Sequence, residues 1–296
     1  MTEEGWEYEP DQRHAEIIIE ELGLQGAKPS ATPGDDEKKW EEEENAEMLN
    51  SQMASRFRSI AARINYLAAD RPDLMYSAKE ACRQMANPTE GGWKMLKRIG
   101  RYLVGRPRAI LKYEWQGRQS DCCGFSDSDW AGCRKTAKST SGGVVVIGTH
   151  FLKGWSRTQQ NITLSSAEAK LVAMCKMAAE LLGILSMMKD LGEEKTGSVL
   201  ADSTAAFAIA DRKGSGKLRH INIGLLWIQE KAHREQLVFA KVLGTENPSD
   251  MMTKNLDAIK IAKFSAMLHQ EFREGRSKEG LKVQKVGGTE GKGVIA

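Results

Sequence analysis

From residue 119 onward, the sequence contains a succession of apolar segments typical first of strands and then of alternating helices and strands, and this succession restricts the possible folds. Residues 122–130, 142–147 and 151–159 have the composition of strands, and glycine-containing turns make these three a meander. A helical pattern begins at about Ser165, and later strands alternate with further helices, so the order is β-β-β-α-β-α-β-α. A meander joined to later strands, with helices packed on the sheet, predicts an α/β layered fold.

A mainly helical segment precedes this part of the chain. Apolar residues recur there with a period near 3.6, as at Ile60, Ile64 and Leu67. We predict four parts in all. They are an acidic, weakly ordered extension with one or two helical pieces (1–52), the helical segment (53–118), the α/β domain (119–262), and a helical end with a disordered tail (263–296).

Charge is distributed unevenly along the 296 residues, although the net charge is only +3. Residues 1–50 hold 16 acidic and 4 basic residues, whereas the remainder holds 24 acidic and 39 basic residues. An acidic extension on a basic body is typical of proteins that contact nucleic acid. A lysine-rich solvated surface has the same composition, so charge alone leaves both interpretations open.

Two features of the sequence bear on where the protein acts. No run approaches the ~18 consecutive apolar residues of a membrane span, and the acidic N-terminus is unlike a signal or transit peptide. The five cysteines form no C-x-x-C pair, which favours reduced thiols. We therefore expect a cytoplasmic or nuclear protein that is not secreted and has no membrane partner.

Four acidic residues occur at junctions of the predicted elements. Asp127 lies on the first strand of the meander, Glu168 in the first turn of the following helix, Asp202 at the end of the next strand, and Asp250 at the start of the last helix. In such a fold the four carboxylates can converge at one end of the sheet. They would repel one another unless cations offset their charge, and two Mg²⁺ ions would do so while serving phosphodiester cleavage. Topology alone leaves open that these are four unrelated surface acids.

Six short blocks between residues 122 and 257 together resemble a known family. In chain order they are residues 125–132 (FSDSDWAG), 138–143 (KSTSGG), 164–169 (LSSAEA), 201–203 (ADS), 219–223 (RHINI) and 247–254 (NPSDMMTK). As a set they resemble the ribonuclease H domain at the C-terminal end of copia-type retrotransposon Pol polyproteins. The helical segment resembles the connection between reverse transcriptase and ribonuclease H, but no Tyr-x-Asp-Asp polymerase motif occurs in the chain.

This resemblance implies a fold, a site and a substrate. The fold is a ribonuclease H-like layered fold with a mixed five-stranded sheet and helices, preceded by the helical segment. The catalytic metal ligands of the family correspond to Asp127, Glu168, Asp202 and Asp250. The implied cofactor is a pair of Mg²⁺ ions, with Mn²⁺ as a substitute. The implied partners are an RNA–DNA hybrid and the polymerase part of the same polyprotein.

Two positions depart from the family blocks. Lys170 stands where the family has the second acid of its E-A-E block, and Asn222 replaces an Asp. Asp129, two residues after the first proposed ligand, is either an acid behind the metal ligands or an exposed turn residue. Candidates for binding the phosphate backbone are Lys135, Lys138, Ser139, Arg157 and Lys170.

The sequence therefore predicts a metal-dependent endonuclease that cleaves the RNA strand of RNA–DNA hybrids. The alternative is a decayed or domesticated remnant of a retrotransposon that at most binds nucleic acid. Lys170, Asn222 and the missing polymerase motif favour that alternative, whereas the complete acidic quartet favours the enzyme. A transposase or integrase of related fold fits the combined blocks less well.

Overall fold

The computed structural model describes residues 2–35, 47–133, 135–216, 220 and 222–281. The first half of the described chain is mainly helical and contributes two short strands. Its elements are β1 (Gly5–Tyr8), α1 (Arg13–Glu21), α2 (Ser51–Ala68), α3 (Met75–Arg83), α4 (Glu90–Gly105) and β2 (Arg108–Glu114).

The second half alternates strands and helices. Its elements are β3 (Asp121–Cys133), β4 (Lys138–Ile147), β5 (His150–Thr158), α5 (Ser166–Asp190), β6 (Thr196–Ala201), α6 (Thr204–Asp211), α7 (Trp227–His233), β7 (Val238–Lys241), α8 (Ala258–Met267) and β8 (Gln270–Arg273). A 3₁₀ turn at Pro248–Met252 precedes α8.

A five-stranded mixed sheet organises the second half, in the order β5-β4-β3-β6-β7. The three consecutive strands β3, β4 and β5 pair antiparallel, as the predicted meander requires. β6 then pairs parallel to β3, and β7 parallel to β6. The prediction of a ribonuclease H-like layered fold with a mixed five-stranded sheet is confirmed.

Both faces of this sheet are covered, because successive side chains of a strand point to opposite faces. On β4, Val145 and Ile147 belong to a core shared with α5, α6 and α7. Val144 and Val146 belong to a second core, which they share with α2 and α4 of the helical segment. The helical segment is therefore the third layer of the molecule, packed on the face of the sheet that α5 does not cover.

Part of the predicted acidic extension, which is expected to hold one or two helical pieces, packs on the helical segment. In the described range 2–35, α1 buries Ile18 completely in the core of the helical segment. Leu22 and Leu24 pack on α4 at Gly100, where a side-chain Cβ would lie 2.8 Å and 2.6 Å from their Cδ1 atoms. The acidic 36–46 run of the predicted extension lies outside the described residues.

A second sheet joins the beginning, middle and end of the chain in the order β1-β2-β8. Gly5 pairs with Glu114, and Arg108 pairs with Arg273. Acidic side chains of the N-terminal part find cations far away in sequence, including the Glu9–Arg108 and Glu16–Arg276 ion pairs. The predicted last part (263–296) holds the end of α8 and the strand β8, while residues 282–296 lie outside the described range.

Among the described residues, α5 is the one helix whose length and apolar composition would allow it to cross a membrane. Three of its side chains, Met174, Met177 and Ala178, are completely buried against the five-stranded sheet. A helix that covers one face of a sheet needs an apolar side that packs on the sheet, so the apolar composition of α5 fits its place in the layered fold.

Candidate active site

Asp127 and Asp202 end two neighbouring parallel strands at the same end of the sheet. Phe125 of β3 pairs with Leu200 of β6, and each aspartate lies two residues beyond that pair. Asp127 is buried, whereas Asp202 is partly exposed. The pairing register therefore brings together two of the four acids predicted from the sequence.

Asp250 reaches the same end of the sheet on the 3₁₀ turn. The side chain of Asn247, which is completely buried, donates to the backbone oxygen of Ser126 (3.1 Å) beside Asp127. Its Oδ1 accepts from the backbone N–H and the hydroxyl of Ser249 (3.2 and 2.6 Å). These bonds fix the turn against β3, and the Thr253 hydroxyl then donates to Asp127 Oδ2 (2.7 Å).

Gly142 of β4 makes this close approach possible. It pairs with Asp127 across the sheet, and a Cβ at this position would lie 2.5 Å from Met252 Cβ and 2.7 Å from Thr253 Cγ2. Both distances are far below van der Waals contact. The glycine of the KSTSGG block is therefore required for the seating of the turn that carries Asp250.

We expect Gly142→Ala to push this turn away from the sheet and to lower the free energy of unfolding by about 1–3 kcal/mol, as overpacking does. Urea denaturation measures the change. Gly183→Ala is the matched control, because Gly183 lies in α5 and a methyl group added there would meet no neighbouring atom within 4 Å, and alanine is the better helix former. Equal stabilities of the two variants would contradict this role of Gly142.

The carboxylates of Asp127 and Asp250 are neighbours close enough to interact directly. Burial, together with the charge of Asp127, raises the pKa of Asp250 to about 6, although Lys254 pairs with Asp250 Oδ2 at 3.0 Å. Burial acts on Asp127 as well, but Lys254, the Thr253 hydroxyl and Lys170 together hold its pKa below the usual value. The pair is therefore short of positive charge, and at mildly acidic pH Asp250 is the partner that holds a proton.

This shift makes stability depend on pH without metal. The pKa of Asp250 is higher in the folded chain than in the unfolded one, where it is about 3.9. The folded state thus binds the extra proton between about pH 4 and 6, and the free energy of unfolding falls as pH rises through that window. We expect Asp250→Asn, in EDTA, to match the parent at pH 4 and to be more stable by about 2–3 kcal/mol at pH 7, since one pKa unit corresponds to about 1.4 kcal/mol.

Urea unfolding at intervals from pH 4 to 7 measures this difference. Asp190→Asn, which changes an exposed aspartate at the end of α5, is the control and should follow the pH dependence of the parent. A constant difference between Asp250→Asn and the parent over the whole range would exclude this effect of the carboxylate pair.

Lys170 lies among the acids rather than on a phosphate-binding surface. Its Nζ pairs with Asp202 Oδ1 and lies 3.5 Å from Asp127 Oδ1. The side chain is only 17% exposed. The ammonium group therefore offsets part of the negative charge of the two carboxylates at the ends of β3 and β6.

Glu168, the remaining acid of the quartet, starts α5 in a capped turn. The Ser165 hydroxyl accepts from the Glu168 N–H (3.2 Å), and Glu168 Oε2 accepts from the Leu164 N–H (2.7 Å), which satisfies donors at the helix start. Glu168 Oε1 pairs with His220 Nε2. Both oxygens of this buried carboxylate thus have partners outside the other three acids.

The carboxylate oxygens of these four acids are the kind of ligand that a hard divalent cation binds. Carboxylate oxygens are the ligands Mg²⁺ prefers, and the raised pKa of Asp250 beside Asp127 marks a place where added positive charge is favourable. Within the described ranges, however, no group of three or more His, Cys, Asp or Glu side chains is close enough to hold a metal ion. Asp127 and Asp250 are adjacent, while Asp202 is held by Lys170 and Glu168 by His220.

The other candidate residues are dispersed around this site. Lys135 and Arg157 are exposed, and Lys138 is half-buried at the start of β4. Ser139 is completely buried; its hydroxyl accepts from the Ala131 N–H (3.1 Å) and bonds the Thr163 hydroxyl (3.0 Å). Ser139 therefore has a structural role, which is to hold the irregular end of β3.

Asp129 is not an exposed turn residue, and it lies close enough to Asp127 and Lys254 for their charges to act on it. It is half-buried, and its carboxylate lies over Gly132, where a Cβ would come within 1.7 Å of Asp129 Oδ2. Burial raises its pKa, while Lys254 opposes the rise. The side chain therefore packs on the glycine turn that ends β3.

Sequence reasoning missed three residues that contact the acids. Thr253 and Lys254 follow Asp250 by three and four positions, a spacing that places side chains on one side of a helical turn, so the NPSDMMTK block held the signal. His220 contacts Glu168 across 52 residues. No local pattern marks that contact.

The strand order, with acidic residues at one end of the sheet, is that of a ribonuclease H-like domain. The chain is 27% identical to the "Retrovirus-related Pol polyprotein from transposon RE2" of Arabidopsis thaliana over 86% of its own length, but spans only 17% of that protein. It is 32% identical to an uncharacterized mitochondrial protein of the same plant, covering 57% of this chain and 68% of that protein. The relatives of the chain thus include copia-type retrotransposon Pol polyproteins, the family that the sequence blocks resemble.

Two further comparisons complete this picture. Among solved structures, a ribonuclease H1 isolated from compost by a metagenomic approach matches 49% of this chain and 97% of its own, with a TM-score of 0.36 and 17% identity. No protein-family model matches the chain.

Proposed function

We propose that the ribonuclease H-like domain hydrolyses the RNA strand of RNA–DNA hybrids with the help of divalent metal ions. The observation that carries the proposal is the adjacent pair of Asp127, which is buried, and Asp250, which is half-buried, at the end of the sheet and short of positive charge. Asp202, two residues beyond the strand pairing, and Glu168, in the first turn of α5, complete the proposed ligand set.

In such a site the residues of the chain would have different roles: some orient the carboxylates and others bind the metal ions. Thr253 orients the Asp127 carboxylate through its hydrogen bond, and Lys254 lies against Asp250 with its side chain 42% exposed. When bound, Mg²⁺ or Mn²⁺ supplies positive charge that stabilises negative charge developing on the phosphate oxygens. The proposed set of Asp127, Asp250, Asp202 and Glu168 would hold these ions once Lys170 and His220 release the last two.

Substrate binding would use the exposed cations near the site. Lys135 and Arg157 are free to meet a phosphate backbone. Trp130, which directly follows Asp129, is 48% exposed and held by its indole N–H on the Thr163 backbone oxygen (3.1 Å), so it offers a fixed ring to the nucleic acid. Hybrids would be recognised by groove shape and 2′-hydroxyl groups rather than by base sequence. The polymerase part of a longer polyprotein is the proposed protein partner.

Cleavage of end-labelled RNA tests the proposal. The same RNA is presented single-stranded, paired with DNA, and paired with RNA, each with Mg²⁺, Mn²⁺ or EDTA. We expect fragments from the RNA–DNA hybrid with either metal and none with EDTA. Intact hybrid RNA in every metal, with a folded protein, would overturn the proposal.

A second function is favoured by the Lys170 ion pairs. If the ammonium group permanently replaces metal between Asp127 and Asp202, the chain binds hybrids without cutting them. Fluorescence anisotropy on a labelled hybrid distinguishes the two functions, because this alternative predicts binding that is unaffected by EDTA and is never followed by cleavage.

A further inference from the structure

Lys170 is more confined than Lys254, the other lysine that pairs with one of the four acids. Its Nζ contacts two carboxylates, those of Asp127 and Asp202, which end adjacent parallel strands. Its side chain is 17% exposed, against 42% for that of Lys254, which approaches Asp250 from the solvent side. Lys254 can therefore turn outward freely, whereas Lys170 is enclosed.

The backbone position of Lys170 is fixed by the packing of α5. Its two neighbours in sequence, Ala169 and Leu171, are completely buried. The Ser165 hydroxyl caps the helix by accepting from the N–H of Glu168, which is two residues before Lys170. The helix thus delivers the ammonium group to the carboxylates from the layer that covers the sheet. Only the side chain can move away, by changing rotamer.

From this geometry we infer that Lys170 is a tethered cation that competes with a divalent metal ion for the carboxylate oxygens of Asp127 and Asp202. The inference rests on the proposed function, since it concerns the same acids. An ammonium group and a metal ion require the same oxygens, and two positive charges cannot share them at contact distance without strong repulsion. Metal binding is therefore coupled to the departure of Lys170 from the site.

The charge of the side chain at position 170 decides whether it raises or lowers the affinity of the site for a metal ion. An acidic side chain at position 170 would add negative charge beside Asp127 and Asp202. The lysine instead neutralises part of the charge that attracts a cation. The site consequently needs a higher metal concentration for occupancy than the same site without the ammonium group.

Binding of Mn²⁺ to the full chain, without nucleic acid, tests this inference. Isothermal titration or the loss of the free-Mn²⁺ electron paramagnetic resonance signal reports affinity at fixed pH and ionic strength. We expect Lys170→Gln to bind Mn²⁺ at least about tenfold more tightly than the parent, which corresponds to about 1.4 kcal/mol. Lys170→Glu, which adds a carboxylate, is expected to bind more tightly still.

Lys176→Gln is the matched control. It removes the same charge from the same helix, but Lys176 pairs with Glu180 and contacts none of the four acids. We expect its Mn²⁺ affinity to equal that of the parent. Equal affinity of Lys170→Gln, Lys176→Gln and the parent would overturn the inference.

A second measurement uses the unmutated protein and so does not depend on the folding of a variant. Acetylation by an amine-reactive ester, followed by mass spectrometry, reports how accessible each lysine is. Saturating Mn²⁺ should raise the modification rate of Lys170 severalfold while leaving that of Lys176 unchanged. Unchanged modification of Lys170 at saturation would contradict its displacement.

These readouts separate this inference from the proposed function. Tighter Mn²⁺ binding by Lys170→Gln with no hybrid cleavage by any variant would sustain the competition and refute the nuclease. Metal-dependent cleavage, together with identical metal affinities of the parent and Lys170→Gln, would support the nuclease and refute the competition.

Discussion

A fragment of residues 119–281 is expected to be unable to form a cooperative fold, although it contains the whole five-stranded sheet. One face of that sheet is covered by the helical segment, and the fragment would expose it. The apolar side chains involved on the sheet, the 3₁₀ turn and α8 are Val144, Val146, Phe151, Met251, Met252, Phe264 and Leu268.

The magnitude of this effect is comparable with the stability of an entire domain. Exposing a large buried apolar side chain costs about 1.5–3 kcal/mol, so seven of them amount to on the order of 10 kcal/mol, whereas domains are stable by about 5–15 kcal/mol. Polar contacts are lost as well, including the Lys79 ammonium bond to the Thr140 hydroxyl (2.8 Å) and the Tyr113 hydroxyl bond to the Phe151 backbone oxygen (3.0 Å).

Thermal unfolding followed by near-ultraviolet circular dichroism measures the outcome. The fragment should lack the cooperative transition of residues 2–281. Coexpression with residues 2–118 as a separate chain is the control, and it should restore the transition because all three layers are then present. A fragment that unfolds cooperatively by itself, at the temperature of the longer chain, would show that the helical layer is dispensable.

Asp127→Asn is expected to reduce hybrid cleavage by at least about a thousandfold, or about 4 kcal/mol of transition-state stabilisation. Asp127 contacts Lys170, the Thr253 hydroxyl and Asp250, which come from α5, the residue after the 3₁₀ turn, and the turn itself. Asparagine retains an oxygen that accepts from Thr253, so the fold should persist while the charge is lost. The cleavage assay and far-ultraviolet circular dichroism together measure both effects.

Asp121→Asn is the matched control, because Asp121 lies at the opposite end of the same strand. Its Oδ1 accepts from the Thr196 and Ser198 hydroxyls (3.2 and 3.0 Å), and an amide oxygen can do the same. We expect this variant to cleave like the parent. Undiminished metal-dependent cleavage by Asp127→Asn would remove Asp127 from the proposed site.

The strands and helices that position the acids were predictable, because their signals are local. Alternating or continuous β-branched residues marked β4, and the Ser165 cap with a 3.6-residue period marked α5. The N-terminal part was not predictable in the same way. Its acidic composition suggested weak order, yet Ile18 is buried and Glu9 pairs with Arg108 across 99 residues, and composition carries no information about such distant partners.

The same distinction applies within the site. Local spacing placed Asp127, Glu168, Asp202 and Asp250 at the ends of elements, and the family blocks identified them as a set. Local spacing did not indicate that Lys170 would point inward at Asp127 and Asp202, since a lysine near a helix start is usually solvated. Nor did it indicate that His220 would pair with Glu168.

Periodicity, caps and short blocks act over a few residues, so the order of elements and the layered fold could be predicted from them, together with four candidate acids. The tertiary structure alone decided which acids become neighbours and which are held by cations. Strand register brings Asp127 beside Asp202, and Gly142 admits the turn that carries Asp250. The packing of α5 then places the Lys170 ammonium group between two carboxylates, because electrostatic partners are set by distance in space rather than by distance along the chain.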